Sequence, residues 1–126
     1  MKKIGLRKRI SYFIVSFLLT LMILRLFLFF SPFTNFNLGK YNIHHLFLGA
    51  LILVVISVLL LMEIMNFITL ILTGVSSALV VDELVYLIAT DGSDSAYLSS
   101  VSWWGAGILS LAVLGIAGIL YYEHHK

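Results

Sequence analysis

The chain has no cysteine, a single proline and few charges. Without cysteine there is no disulfide, no thiolate metal site and no thiol nucleophile, and the redox compartment stays open. Asp, Glu, Lys and Arg make up 11% of the 126 residues, where a soluble domain carries about 25%. Apolar residues make up 61%, and the mean hydropathy is +1.08. A globule of this size buries only about two-thirds of the surface its unfolded chain exposes. It could not hide so much apolar surface, so a soluble enzyme is excluded. A disordered chain needs low hydrophobicity and high net charge, and is excluded too. No nucleophile-elbow, phosphate-loop, dinucleotide or N-glycosylation motif is present. What remains is an integral membrane protein.

Ile10–Phe30 runs apolar for about 21 residues, roughly 31 Å of helix, which is enough to cross a hydrocarbon layer. A basic head before an apolar run also describes a signal peptide. This run is longer than a signal h-region and no small-x-small site follows it, so a retained anchor is expected. Ser31-Pro32 closes the run, and a turn-rich polar loop follows. Apolar character then continues from Ile43 to Thr90, roughly 70 Å as one helix, and must fold back. Its polar interruption is Glu63 and Asn66 in MEIMN, where a tight hairpin is expected. No Gly or Pro fixes the turn more closely. The predicted spans are residues 10–30, 44–62, 67–90 and 98–122. Together they form a single domain, 1–126: an all-α membrane protein, a four-transmembrane-helix bundle without strand alternation.

Lys2, Lys3, Arg7, Lys8 and Arg9 cluster ahead of the first span. The positive-inside rule places them in the cytoplasm, and four crossings return the C-terminus there, in a multi-pass protein of the cell membrane. Trp103-Trp104 and Tyr121-Tyr122 fall at the two ends of the last span, as interfacial aromatics do. The lipid bilayer is the first partner, with anionic lipid at the basic N-terminus. Nucleic acid is not expected, because the basic cluster has no aromatic platform. His124-His125 reads as a solvated tail. Asp91-Gly92-Ser93-Asp94 opens like a calcium loop but lacks the later ligands, so it reads as a turn.

Three ionised residues lie inside the predicted spans: Arg25, Asp82 and Glu83. Each costs about 2.5–3.5 kcal/mol at a helix centre, so such groups face protein or water and have partners. Counted from the cytoplasmic boundary, Arg25, Asp82 and Glu83 lie roughly 22 Å up, and His44 and His45 roughly 26 Å up. All five fall within about one helical turn of a common depth in the outer leaflet. Gly74, Ala78 and Asp82 share one face of the third span, with Tyr86 four residues on, and small residues at this spacing let a second helix approach. His45 and Gly49 share a face of the second span. Ser102, Ala106 and Ser110 form another small-residue seam, and Gly105, Gly107, Gly115 and Gly118 also suggest close packing.

Three uses of this cluster compete. The leading one is a structural ion pair of Arg25 with Asp82 or Glu83 that fixes the bundle. The second is a divalent metal, Zn, Fe or Mn, held by His44, His45, Asp82 and Glu83, which would allow metal-dependent membrane chemistry. Against it, neighbouring residues on one helix diverge by about 100°, so neither the two histidines nor the two carboxylates easily ligate together. Side-chain lean also lifts the histidines away from the carboxylates. The third is a proton or ion conduit, which would need a homo-oligomer because four helices make a thin pore. A subunit role in a larger membrane complex is a further alternative.

The stretch Tyr41-Asn42-Ile43-His44-His45-Leu46-Phe47-Leu48-Gly49 opens the second span. Gly74–Leu84 in the third ends in Asp82-Glu83-Leu84, and a loop with Tyr97 follows. Over residues 41–100 this resembles a group of small, uncharacterised multi-span integral membrane proteins of bacteria and archaea. These pair His-His-x-x-x-Gly with a Gly-rich stretch ending in Asp-Glu. The resemblance implies no activity. It implies that His44, His45, Gly49, Asp82 and Glu83 are the positions to test. Ser76-Ser77 stand where that group shows a second glycine.

Overall fold

The computed structural model describes residues 4–35 and 37–124. Lys2 and Lys3 of the basic cluster, His125 and Lys126, and the Tyr41 side chain lie outside what it describes. The regular structure of the described residues is helical apart from one small hairpin, with 78% of them in five helices. These are α1 (Leu6–Phe30), α2 (His45–Leu61), α3 (Phe67–Ala89), α4 (Asp94–Tyr97) and α5 (Ser100–Glu123). α1, α3 and α5 are each long and apolar enough to cross a membrane, and α2 is a shorter apolar helix of 17 residues.

The boundaries depart from the sequence expectation in four informative places. α1 starts at Leu6 rather than Ile10, because Arg7, Lys8 and Arg9 continue the helix into the basic head, with Arg9 Nε donating to the Ile4 carbonyl at 2.6 Å. The polar loop after α1 holds a strand pair, β1 (Asn37–Leu38) and β2 (Tyr41–Asn42), in which Asn37 faces Asn42. Gly39 takes φ +64° in its turn. Two residues per strand are too few to show alternation in sequence. The last span does not begin at 98. Ser93 caps the short α4, and a second start at Ser99 opens α5, its hydroxyl accepting from the Ser102 N–H at 3.4 Å. Finally, α2 begins at His45, leaving His44 as its extended N-cap.

The α2–α3 turn shows how a hairpin forms without Gly or Pro. Glu63 adopts φ 57°, the left-handed conformation that usually falls to glycine. The Ile64 N–H reaches Leu59 O at 2.9 Å and the Glu63 N–H reaches Leu60 O at 3.0 Å, closing the last carbonyls of α2. Asn66 then starts α3 through a reciprocal cap. Its side chain accepts from the Thr69 N–H at 3.0 Å, and the Thr69 hydroxyl accepts from the Asn66 N–H at 3.0 Å.

α3 is the central helix, with α1, α2 and α5 packed around it. Glycines bring all three close. A Cβ on Gly74 would meet Ser16 Oγ and the Phe13 carbonyl of α1; on Gly49, Leu79 and the Ser76 carbonyl of α3; on Gly105, the Val85 side chain. Phe17, Ala78 and Val81 form the buried apolar centre. Gly107, Gly115 and Gly118 depart from the close packing expected of them, since a Cβ there would meet open space. The outward surface is large and apolar, with Phe30, Leu61 and Leu111 all well exposed.

Candidate functional site

Arg25, Asp82 and Glu83 come together at the end of the molecule that carries the two long loops, opposite the α2–α3 turn. All three are buried. α1 supplies Arg25, which sits with its guanidinium over two aromatic rings. Its Cζ lies 4.5 Å from the Tyr97 ring centre and 4.8 Å from that of Trp103. Every N–H of the guanidinium has an acceptor. Nε donates to Asp82 Oδ1 at 2.5 Å, Nη1 to Ser102 Oγ at 3.1 Å and the Tyr97 carbonyl at 3.3 Å, and Nη2 to the carbonyls of Asp82 at 3.0 Å and Ser102 at 3.4 Å. One side chain thus ties α1 to α3, α4 and α5. An ammonium could not do this, because the guanidinium is a rigid fork of five donors.

Asp82 is satisfied on both oxygens. Oδ1 takes Arg25, while Oδ2 accepts from the Tyr97 hydroxyl and faces His45 Nε2 at 3.0 Å. Burial, and then the adjacent Asp82 carboxylate with its hydrogen bond, push the Tyr97 phenol far above its ordinary range. Tyr97 therefore stays a proton donor throughout neutral and moderately alkaline pH.

α2 joins the cluster through both histidines. His44 Nδ1 lies 3.1 Å from Glu83 Oε1, and His45 Nδ1 lies 3.3 Å from the same oxygen. Glu83 Oε2 accepts the Leu46 N–H at 2.9 Å, so the carboxylate also caps the start of α2. Sequence reasoning expected the histidines to diverge by one residue's helical turn. Both reach Glu83 because His44 is not helical: its ψ of 141° makes it an extended N-cap, to which the helical spacing of about 100° per residue does not apply. The outward lean expected to separate histidines from carboxylates is offset by the shortness of α2. His45 and Glu83 each lie about sixteen residues from the α2–α3 turn, roughly 24 Å along antiparallel helices. Both His45 nitrogens face carboxylate oxygens, which only accept.

The remaining sequence candidates separate by role. Tyr86 turns to the loop, donating to the carbonyls of Gly92 at 2.6 Å and Ser93 at 3.1 Å. Gly49, Gly74 and Ala78 lie in the α3 contacts, and Ser102 and Ala106 are buried. Ser110 is only half-buried and bonds its own helix at the Ala106 carbonyl, 2.6 Å away. Tyr97, Trp103 and the Ser102 carbonyl were not singled out as Arg25 partners. The signal available was the buried arginine itself, which needs more acceptors than one carboxylate offers.

Among the described residues no buried side-chain nitrogen or oxygen lacks a partner. Nor do three or more His, Asp or Glu form a set able to hold a metal ion. His44 Nδ1 and both His45 nitrogens are directed to carboxylates.

Above the histidines lies a cavity of about 250 Å³ that opens toward the loops. Its rim is laced by Asn35, whose amide donates to Asp94 Oδ2 at 3.1 Å and whose carbonyl accepts from Asn42 at 3.2 Å. In the Asp91 turn, hydrogen bonds from Ser93 hold the Asp91 carboxyl below its ordinary range. No family model, curated protein or solved structure matches this chain.

Proposed function

We propose that the chain is a small four-span protein of the cell membrane, both termini cytoplasmic, whose outer-leaflet polar cluster is a structural tie. In this reading α2 is the fourth span. The basic head meets anionic lipid on the cytoplasmic side, and the two loops face outward. Four of the positions suggested by the resemblance to small multi-span bacterial and archaeal proteins, His44, His45, Asp82 and Glu83, belong to this tie, and Gly49 packs α2 against α3 beside it. Arg25 and Asp82 fix how α1, α3 and α5 assemble, and Glu83 with His44 and His45 fastens α2 to them.

The observation that carries the reading is that all five guanidinium N–H groups of Arg25 are spent on three other elements. A group built to bind or react would keep some of that capacity for its ligand. A conduit is less well supported. Toward the α2–α3 turn, Ser16, Thr20, Thr73 and Ser76 bond to their own helices, and Phe17, Ala78 and Val81 fill the centre.

Arg25→Lys tests the tie. It keeps the charge and loses the fork, so thermal unfolding in detergent should show most of the loss caused by Arg25→Leu. If Arg25→Lys is as stable as the parent, the cluster needs only a charge and the tie reading fails. Topology is tested independently, because the chain has no cysteine of its own. In intact cells an impermeant maleimide should label Ser95→Cys and leave Glu63→Cys unlabelled. The reverse pattern would overturn the orientation.

A further inference from the structure

We infer that the loop-end cavity binds the ammonium group of an organic cation. The inference goes beyond the tie and uses it only as the floor that holds the cavity in place. Glu83 and Asp94 both line the cavity, and no lysine or arginine among the described residues does. The nearest guanidinium, Arg25, is matched to Asp82 and covered by the Tyr97 and Trp103 rings. The fixed charges of the lining are therefore the Glu83 and Asp94 carboxylates, which favour a cation and repel phosphate or carboxylate.

The rings specify what kind of cation. Tyr86 and Tyr97 line the cavity as an edge-to-face pair, their centres 5.4 Å apart, and His44 sits 6.0 Å from Tyr86. Aromatic and apolar walls beside carboxylates suit an organic ammonium better than a bare metal ion. A divalent metal would need a convergent ligand set, which these side chains do not form. Glu83 keeps acceptor capacity after its contacts with the two histidines and the Leu46 N–H, since a carboxylate offers about four lone-pair sites. One side of the cavity is apolar, formed by Leu24, Phe27 and Leu28 of α1. The cation thus carries an aliphatic portion, as a lipid amine headgroup or a free alkylamine would.

The test uses the full chain in detergent and in lipid nanodiscs, with unfolding temperature as the readout. Soluble ethylammonium chloride, against equal sodium chloride, probes a free amine. Nanodiscs of phosphatidylethanolamine, against phosphatidylglycerol with the same acyl chains, probe a lipid headgroup. Stabilisation in both arms supports the inference with lipid as the source; stabilisation by ethylammonium alone supports it with a free amine. Glu83→Gln and the rim variant Asp94→Asn should each weaken the apparent affinity by roughly tenfold. Asp94→Asn keeps the test valid if Glu83→Gln does not fold. The inference is overturned if neither amine stabilises the protein, if phosphate or a divalent cation does so instead, or if both variants keep the full effect. Because the readout is taken on folded parent protein in either orientation, such a failure leaves the tie and the topology standing. Failure of the Arg25→Lys test would likewise leave amine binding to be judged by itself.

Discussion

The loop half and the turn half of the molecule share close glycine contacts but use their polar groups differently. In the turn half the hydroxyls of Ser16, Thr20, Thr73 and Ser76 bond within their own helices. Contact between helices there comes from the missing side chain of Gly74 and the packing of Phe17 against Ala78 and Val81. In the loop half the polar groups bond across helices, and Arg25 alone reaches α3, α4 and α5. Shape brings the helices near one another in both halves, through Gly74 in one and Gly49 and Gly105 in the other; directional bonds add control of depth and rotation in the loop half. In a lipid-like setting this division makes sense, because apolar side chains gain little by leaving lipid for one another.

Breaking the directional half should cost most. Arg25→Leu strands a buried Asp82 and removes bonds to three elements, and an unfolding titration should show a loss of roughly 3–5 kcal/mol. Breaking the shape half should cost less. Gly74→Ala places a carbon against Ser16 Oγ and the Phe13 backbone; relief requires α1 to shift, at about 1–3 kcal/mol by the same titration. Gly107→Ala is its control, since a Cβ there meets open space. If the two glycine variants behaved alike, proximity would not be what Gly74 supplies. A third substitution sharpens the comparison at the turn between α2 and α3. Asn66→Ala removes the reciprocal cap and should cost about 1 kcal/mol. Smallest, and opposite in sign, Glu63→Gly relieves the left-handed strain and should raise stability by up to about 1 kcal/mol.

Much of the helical layout was legible in the sequence, because span length is dictated by hydropathy and the MEIMN interruption was the one place to fold back. The common depth of Arg25, Asp82 and Glu83 was also legible, since depth follows from counting residues along a helix. What counting could not supply was rotation and the last residue of each helix. The convergence of His44 and His45 turns on one boundary: with the helix starting at 45 instead of 44, the angular argument against their meeting no longer applies. Tyr97 reaches Asp82 only because a four-residue helix folds between α3 and α5, and nothing in the periodicity of so short a segment announces it. The left-handed turn at Glu63 was hidden for a related reason. Neighbouring backbone bonds fix it, where a glycine would have signalled it.

The coupling between Arg25 and Asp82 is the most direct measure of the account. Unfolding free energies of the parent, Arg25→Leu, Asp82→Asn and the double variant form one cycle. The account predicts that the double variant loses less than the two single losses combined, by on the order of 2 kcal/mol, because each single change leaves a buried charge without its partner. Losses that add to within about 0.5 kcal/mol would mean that the two side chains stabilise the bundle independently, and would contradict it.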